Sequence, residues 1–337
     1  MKKHIPIFCA TDENFATFAS LMMKSLLMHT NSFIEFYVMD GGIEEKTKKL
    51  IEKDLKNFSN KRIQYIDMSP YNLKRFPNSG RFARFSENAY ARYFIPEIAP
   101  SLSKAIYMDV DIIVKQDVIE LFDQDLKKYP IGATPCDFNI GCSMIGQVKR
   151  ICPDVDINSI AFNSGILLMD IQKLIQMDFT NKAISLTEIY KDKLVYPDQD
   201  ILNIIFENNY LPLDYRFDFV HSALPCMKKT KGIKTIKPLM THYTIKPWKQ
   251  NVPFQEDFEE ILEGSLFYES VFKKWRAKKI RYYLFGIIPV YKKYIPKDIF
   301  FNQCFVEKDF MSLNLKGEKW MIISSLFFVF HVLFYNL

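Results

Sequence analysis

No Cys-x-x-Cys pair occurs among the six cysteines Cys9, Cys136, Cys142, Cys152, Cys226 and Cys304. Neither a structural zinc site nor a disulfide framework is indicated, and reduced cytosolic thiols are the simplest expectation. Gly-x-Gly-x-x-Gly and Gly-Lys-Ser/Thr are both missing, which excludes a dinucleotide fingerprint and a P-loop. At the N-terminus, Met1-Lys2-Lys3-His4 leads straight into the short apolar segment Ile5 to Ala10. The longer apolar stretch and small-residue cleavage site of a secretory signal are not there, so a cytoplasmic location is expected. Internal repeats and low-complexity segments are also lacking. Most of the chain has no charge excess either: residues 1–268 hold 33 Lys or Arg against 34 Asp or Glu, whereas 269–337 hold 12 against 5. The net charge of +6 therefore belongs to the C-terminal tail.

What is present is an ordinary globular composition, 48% hydrophobic and 25% charged over 337 residues. That is ample for one large domain with an appendage. Strand-like apolar runs alternate with helical patterns, as in β-α-β units. His4 to Ala10 reads as a strand and Thr11-Asp12-Glu13-Asn14 as a polar turn; Phe15, Phe18, Ala19, Met22, Met23 and Leu26 then recur at helical spacing. Phe33 to Met39 reads as a strand, Glu44 to Phe58 as a helix and Arg62 to Ile66 as a third strand. Together these outline a mononucleotide-binding half-sheet, whose ligands bind beyond the carboxyl ends of its strands. Further on, Ser86 to Ile98 is expected to be a helix with Ser86 as N-cap, and Phe162 to Asp170 a turn feeding a buried strand. Asp178 to Lys191 and Tyr196 to Asn203 read as helices.

Asp109-Val110-Asp111 closes the apolar run Ala105 to Met108. In an extended chain, residues i and i+2 project to the same side, so both carboxylates could reach one hard cation. The bland alternative is a solvated turn. Without a glycine-rich phosphate loop, a diphosphate bound at this sheet would need such a cation.

Five separated blocks carry a resemblance over roughly residues 4–250. They are Phe8-Cys9-Ala10-Thr11-Asp12-Glu13-Asn14, then Asn88-Ala89-Tyr90-Ala91-Arg92, then Tyr107-Met108-Asp109-Val110-Asp111, then Asn163-Ser164-Gly165 with Asp198-Gln199-Asp200, and finally His242-Tyr243 with Lys246-Pro247-Trp248. In this order they resemble glycosyltransferase family 8, most closely its bacterial lipopolysaccharide galactosyl- and glucosyltransferases. The resemblance implies a GT-A nucleotide-diphospho-sugar transferase fold, α/β with a Rossmann-like mixed central sheet flanked by helices, over residues 1–268. It also implies a UDP-galactose or UDP-glucose donor and Mn²⁺, with Mg²⁺ as an alternative, held by Asp109, Asp111 and His242.

Donor contacts implied in the same way are Ala10, Thr11, Asp12, Asn14, Arg92, Val110, Asn163, Ser164, Asp198, Gln199 and Lys246. Asp12 and Asn14 would meet uracil and ribose, although both residue types also form turns and caps. Arg92, between Tyr90 and Tyr93, is expected to pair with a bound anion, because a buried unpaired guanidinium would be costly. Lys246 would bring a positive charge to the diphosphate. Asp198 would orient sugar hydroxyls, or simply cap a helix. Gln199 would steady the cationic sugar during same-face displacement, with the leaving diphosphate helping to deprotonate the acceptor. Asp137 is a candidate on the acceptor side. Only Thr244-Ile245 separates His242-Tyr243 from Lys246, a link shorter than the family's usual one and without its glycine.

The tail, residues 269–337, interleaves basic residues with Tyr282-Tyr283-Leu284-Phe285 and Ile287-Ile288-Pro289-Val290. This suits the surface of an anionic membrane better than nucleic acid, since the remaining chain has no basic excess. Trp320 to Leu337 carries no charge. It reads as an interfacial helix, with a membrane span or a core helix as alternatives. The expected protein is thus a metal-dependent retaining hexosyltransferase for a lipid-linked oligosaccharide, peripheral on the inner face of the cytoplasmic membrane. Another glycan acceptor, protein-linked or capsular, and a non-catalytic sugar-nucleotide binding module are the alternatives.

Overall fold

The apolar run at the N-terminus forms β1 (His4–Thr11), and it is buried on both faces because it lies inside the sheet. Ile5, Ile7 and Cys9 point into one core, with Ala19, Met22 and Leu26 of α1 (Ala16–Met28). Phe8 points into the other, with Met39 and Tyr107. This is the period-2 alternation of a strand covered on both sides. The structure, a computed structural model, describes residues 3–78, 86–136, 144–221, 236–244 and 252–271, with the backbone of two strands at 282–284 and 288–291.

The sheet grows outward from β1. β2 (Phe33–Asp40) runs parallel to it, with His4 opposite Phe33 and Thr11 opposite Asp40, and β3 (Lys61–Asp67) runs parallel to β2. α2 (Glu45–Asp54) is the crossover between β2 and β3, and is shorter than the expected 44–58. On the other side of β1, β4 (Lys104–Met108) is also parallel, with Phe8 opposite Tyr107. After the short strand β5 (Ile112–Val114), β6 (Ile131–Pro135) and β7 (Phe162–Asp170) form an antiparallel pair, and β7 is antiparallel to β4. With β8 (Leu211–Pro212), the sheet order is β3-β2-β1-β4-β7-β6-β8.

The reversal at β7 decides where the site lies. Met108 at the end of β4 pairs with Ile166. The residues preceding Ile166, namely Asn163, Ser164 and Gly165, therefore extend past the carboxyl edge of β4, beside Asp109. They belong to the strand itself rather than to the expected turn. A second sheet, β5-β10-β9, stands at the same edge. In it, β10 (Met240–His242) is antiparallel to β5, placing His242 opposite Ile112, and parallel to β9 (Phe219–Val220).

The helical expectation for 86–98 is modified. The segment after Ser86 is a 3₁₀-helix, Glu87–Phe94, followed by α3 (Ile95–Ile98). Ser86 caps it as expected, its hydroxyl accepting from the Asn88 N–H at 3.2 Å. Three residues per turn place Tyr90 and Tyr93 on one face, where their rings lie 5.7 Å apart in the core. Past the motif blocks, a further helix, Gln255–Glu263, buries Phe258, Ile261 and Leu262. Asp54 ties the following turn to α2, accepting from the Ser265 hydroxyl at 2.9 Å and the Leu266 N–H at 2.8 Å.

The chain divides into two units, Met1–Val271 and Phe272–Leu337. In the second, the antiparallel strands β11 (Tyr282–Leu284) and β12 (Ile288–Tyr291) are described. Asp137, Lys246, Pro247, Trp248 and Trp320 to Leu337 lie outside the described residues. Among the described residues, no helix is long and apolar enough to cross a membrane. Cys9 and Cys152 are not in disulfides, and burial and then Asp109 push the Cys9 thiol up to about 12.

Candidate functional site

Asp109 and Asp111 bracket the turn between β4 and β5, so they converge through the turn and not by the strand alternation expected of an extended pair. The backbone of Asp109 is pinned, its N–H donating to the Gly165 carbonyl at 2.8 Å, while the Asp111 carbonyl accepts from the Tyr243 N–H at 2.9 Å. His242 arrives from β10, its Nε2 lying 3.3 Å from Asp111 Oδ1 and 3.9 Å from Asp109 Oδ2. One ligand atom from each of the three residues lies within 4.8 Å of the others. The ring of His242 packs directly on β7: a Cβ at Gly165 would come within 2.4 Å of its Cε1 and 2.6 Å of its Nδ1. Only glycine leaves room for the imidazole there.

Arg92 is the hub on the other side. It is 3% exposed. Its Nη2 donates to Asp109 Oδ1 at 2.9 Å and its Nη1 lies 3.1 Å from Asp198 Oδ2. The remaining donors reach the carbonyls of Ser164 at 2.6 Å and Ala89 at 3.0 Å, and the guanidinium lies 4.1 Å from the centre of the Tyr107 ring. The sequence reading gave this charge to a bound anion; in the structure two carboxylates neutralise it. Burial works against the guanidinium's charge, but Asp109 and Asp198 outweigh it and raise its pKa. Burial also raises the Asp109 carboxyl, with Arg92 opposing and Asp111 adding to the rise. Tyr107 donates its hydroxyl to Asp109 Oδ1 at 2.7 Å, so that oxygen is fully engaged and Oδ2 is left on the His242 side.

α4 (Pro197–Ile205) supplies Asp198 and Gln199 at its N-terminus. It is fixed to β7 by Asn203, which accepts from the Phe162 N–H at 2.8 Å and donates to the Phe162 carbonyl at 3.0 Å. Ser164 bonds to both site residues, through its hydroxyl to Asp198 Oδ2 at 3.1 Å and through its N–H to Gln199 Oε1 at 3.1 Å. Asn163 Oδ1 accepts from the Gly165 N–H at 2.7 Å. Asp200 is the anchor of the helix: it accepts from the N–H groups of Val195 and Tyr196 at 2.7 and 2.8 Å, and burial raises its carboxyl to about 6 against those bonds.

Asp12, at the end of β1, accepts from the Asn14 N–H at 2.9 Å through Oδ1, and from Ser86 and Asn88 at 3.1 and 3.3 Å through Oδ2. Its turn-forming role is thus real, and it also ties β1 to the helix that carries Arg92. Asn88 in turn fits over Gly41, where a Cβ would come within 2.0 Å of its Oδ1. Thr11 is buried, with its hydroxyl on the Asp12 carbonyl at 3.2 Å, and Ala10 is partly buried beside it. Val110 sits in the metal turn and packs on the core.

Asp218 was missed by the sequence reading. It is 2% exposed, immediately before β9, with Oδ1 2.9 Å from His242 Nδ1 and Oδ2 accepting from the Ile166 N–H at 3.2 Å. The available signal was an acidic residue inside the apolar stretch Phe217-Asp218-Phe219-Val220. Such a residue is buried only with a partner. Burial disfavours the charged His242 ring, yet Asp218 and Asp111 outweigh it and raise the imidazole well above its ordinary value. Among the described residues, Asp109, Asp111, Asp198 and Asp218 thus face a single guanidinium and one imidazole. Two hard oxygen donors and one imidazole nitrogen, set in an excess of negative charge, fit a divalent cation.

Residues 6–252 match the sequence model of "Glycosyl transferase family 8". The chain belongs to that family. Among curated relatives, this family 8 chain is 26% identical over 272 residues to "General stress protein A" of Bacillus subtilis, covering 75% of the chain and 90% of that protein. It is 24% identical over 250 residues to "Lipopolysaccharide 1,2-glucosyltransferase" of Escherichia coli, covering 70% of each. "Probable glycosyl transferase Gly" of Streptococcus gordonii is 28% identical over 236 residues, and there the match covers 68% of the chain but 30% of the relative's length. Among solved structures, the galactosyltransferase LgtC in complex with donor and acceptor sugar analogs superposes with a TM-score of 0.67 at 25% identity, over 78% of this chain and 96% of that one. The fold is GT-A, as the motif blocks implied.

Proposed function

We propose that this family 8 chain transfers galactose or glucose from its UDP donor to a sugar hydroxyl of a lipopolysaccharide or lipooligosaccharide core, with retention of anomeric configuration. The observation that carries this reading is the convergence of Asp109, Asp111 and His242 beside the Arg92–Asp198–Gln199 group at one sheet edge. A Mn²⁺ ion there, or Mg²⁺, would offset the charge that develops on the departing β-phosphate. Asp109, Asp111 and Nε2 of His242 would hold it. Ser164 fixes the amide oxygen of Gln199 and one oxygen of Asp198. Both side chains therefore meet the donor sugar preset rather than adapting to it. An amide is a poor nucleophile, so Gln199 serves to steady the positive charge on the sugar during same-face displacement. The names of the Escherichia coli glucosyltransferase and of the LgtC complex support the sugar classes proposed for donor and acceptor.

Incubation of the full chain with each UDP-hexose and Mn²⁺ should release UDP slowly from one of the two donors, and faster when a lipooligosaccharide core is added. Acceleration by a glycopeptide or a capsular oligosaccharide instead would move the acceptor to that class. Tight donor binding with no turnover of any UDP-hexose would make the chain a binding module.

The basic, aromatic tail 269–337 is proposed to bind an anionic membrane surface, at about 1 kcal/mol per well-placed Lys or Arg. Detergent-free fractionation should place the full chain with membranes and a 1–268 truncation in the supernatant. Equal partition of the two would remove the membrane role.

A further inference from the structure

For His242 to act as a ligand through Nε2, the ring must present that nitrogen with its lone pair free and carry its proton on Nδ1. Nδ1 lies 2.9 Å from Asp218 Oδ1. Asp218 is itself held on both sides. Its other oxygen accepts from the Ile166 N–H at 3.2 Å, and the pairing of β9 with β10 sets Val220 opposite His242. Gly165 leaves the space that the ring fills on its β7 side.

We propose that Asp218 is the positioning residue of the cation site, holding the proton on Nδ1 of His242 so that Nε2 faces Asp109 and Asp111. The inference rests on the reading of those three residues as a cation site. Asp218 itself would touch neither cation nor sugar nucleotide. It acts through the ring, as outer carboxylates on metal-bound histidines do, and loss of such a partner weakens metal binding by about ten- to a hundredfold.

A purely structural Asp218 would be a staple between β7 and β9, and asparagine exposes the difference. An asparagine has one acceptor and one donor where the carboxylate has two acceptors. If its carbonyl keeps the Ile166 N–H, its amino group faces Nδ1. The proton must then move to Nε2, where it blocks the cation's place. If its carbonyl faces Nδ1 instead, two donors meet at Ile166 and the link to β7 is lost.

Mn²⁺ binding to the full chain in the presence of UDP, followed by electron paramagnetic resonance, separates these roles. Asp218→Asn should bind Mn²⁺ about ten- to a hundredfold more weakly than wild type, at a temperature where circular dichroism shows both folded. Unchanged affinity in Asp218→Asn, beside lost affinity in Asp111→Asn, would overturn the positioning role and leave the cation site standing. Failure of the wild type to bind Mn²⁺ would instead overturn the cation reading, and this inference with it.

If Asp218→Asn does not fold, the wild type loaded with Mg²⁺ provides the answer by ¹⁵N resonance of its histidines. The His242 signal can be picked out from the five histidines by its loss in His242→Gln. A proton on Nδ1 supports the proposal; a proton on Nε2 overturns it.

Discussion

Asp111→Asn should lower the Mn²⁺-dependent release of UDP by about a thousandfold, because the charge stabilisation at stake is several kcal/mol and each 1.4 kcal/mol is tenfold in rate. Asp111 would be one of the three proposed side-chain ligands, and it is the nearer of the two carboxylates to His242 Nε2, at 3.3 Å against 3.9 Å. The ion pairs of Arg92 run to Asp109 and Asp198, so replacement of Asp111 leaves that group in place. The loss should therefore fall on metal affinity and rate more than on stability. The measurement is initial rate across a Mn²⁺ titration, with the melting temperature as control. A variant that keeps its rate at low Mn²⁺ would remove Asp111 from the ligand set.

A pH effect accompanies this one. Asp218 and Asp111 raise the imidazole of His242 against the effect of burial, and a cation must displace that proton. Mn²⁺ affinity of the wild type should therefore rise with pH through the elevated His242 value. The rise should level off at lower pH in Asp111→Asn, where one of the two charges holding the proton is gone.

Arg92→Met should destabilise the fold by about 3 kcal/mol, at the lower end of what removing one partner of a buried ion pair costs. The lower end applies because the Asp109 side chain is 26% exposed and water can screen it, whereas that of Asp198 is 10% exposed and depends on the guanidinium. The methionine fills volume but satisfies neither carboxylate nor the Ser164 carbonyl. Arg92→Lys keeps the charge without the fork, so it should cost less.

In Arg92→Met the Asp109 carboxyl, already raised by burial and no longer opposed by the guanidinium, should protonate more readily in the folded chain than in the unfolded one. The penalty should then be small in acid, where both states are protonated, and grow as pH rises through the unfolded and then the folded values. Urea unfolding at several pH values measures this. Adding Asp198→Asn to Arg92→Met should recover part of the loss, since the pair is in direct contact. A variant as stable as wild type at neutral pH would show that the Arg92 group carries no net stability.

That Asp109 and Asp111 belong together was legible from spacing, and the β1–α1–β2–α2–β3 half-sheet from periodicity, because each depends on residues near in sequence. The resemblance of five blocks nominated the proposed donor residues without saying how they touch. Arg92 shows the limit: its sequence neighbours Tyr90 and Tyr93 suggested burial, and burial demanded a counter-charge. Nothing local indicated that the counter-charge would be Asp109 and Asp198, 17 and 106 residues away by their numbers.

By itself the sequence determined the fold class, the family and the residue types at the site, since hydrophobic alternation and short motifs are properties of contiguous segments. Tertiary structure alone decided the rest. The antiparallel insertion of β7 carries Ser164 and Gly165 to the edge where β4 ends, and the β5-β10-β9 sheet brings His242 and the unforeseen Asp218 to the same place. Strand order and direction are set by pairing between distant segments, and a period of two along one strand is the same whichever neighbour it meets.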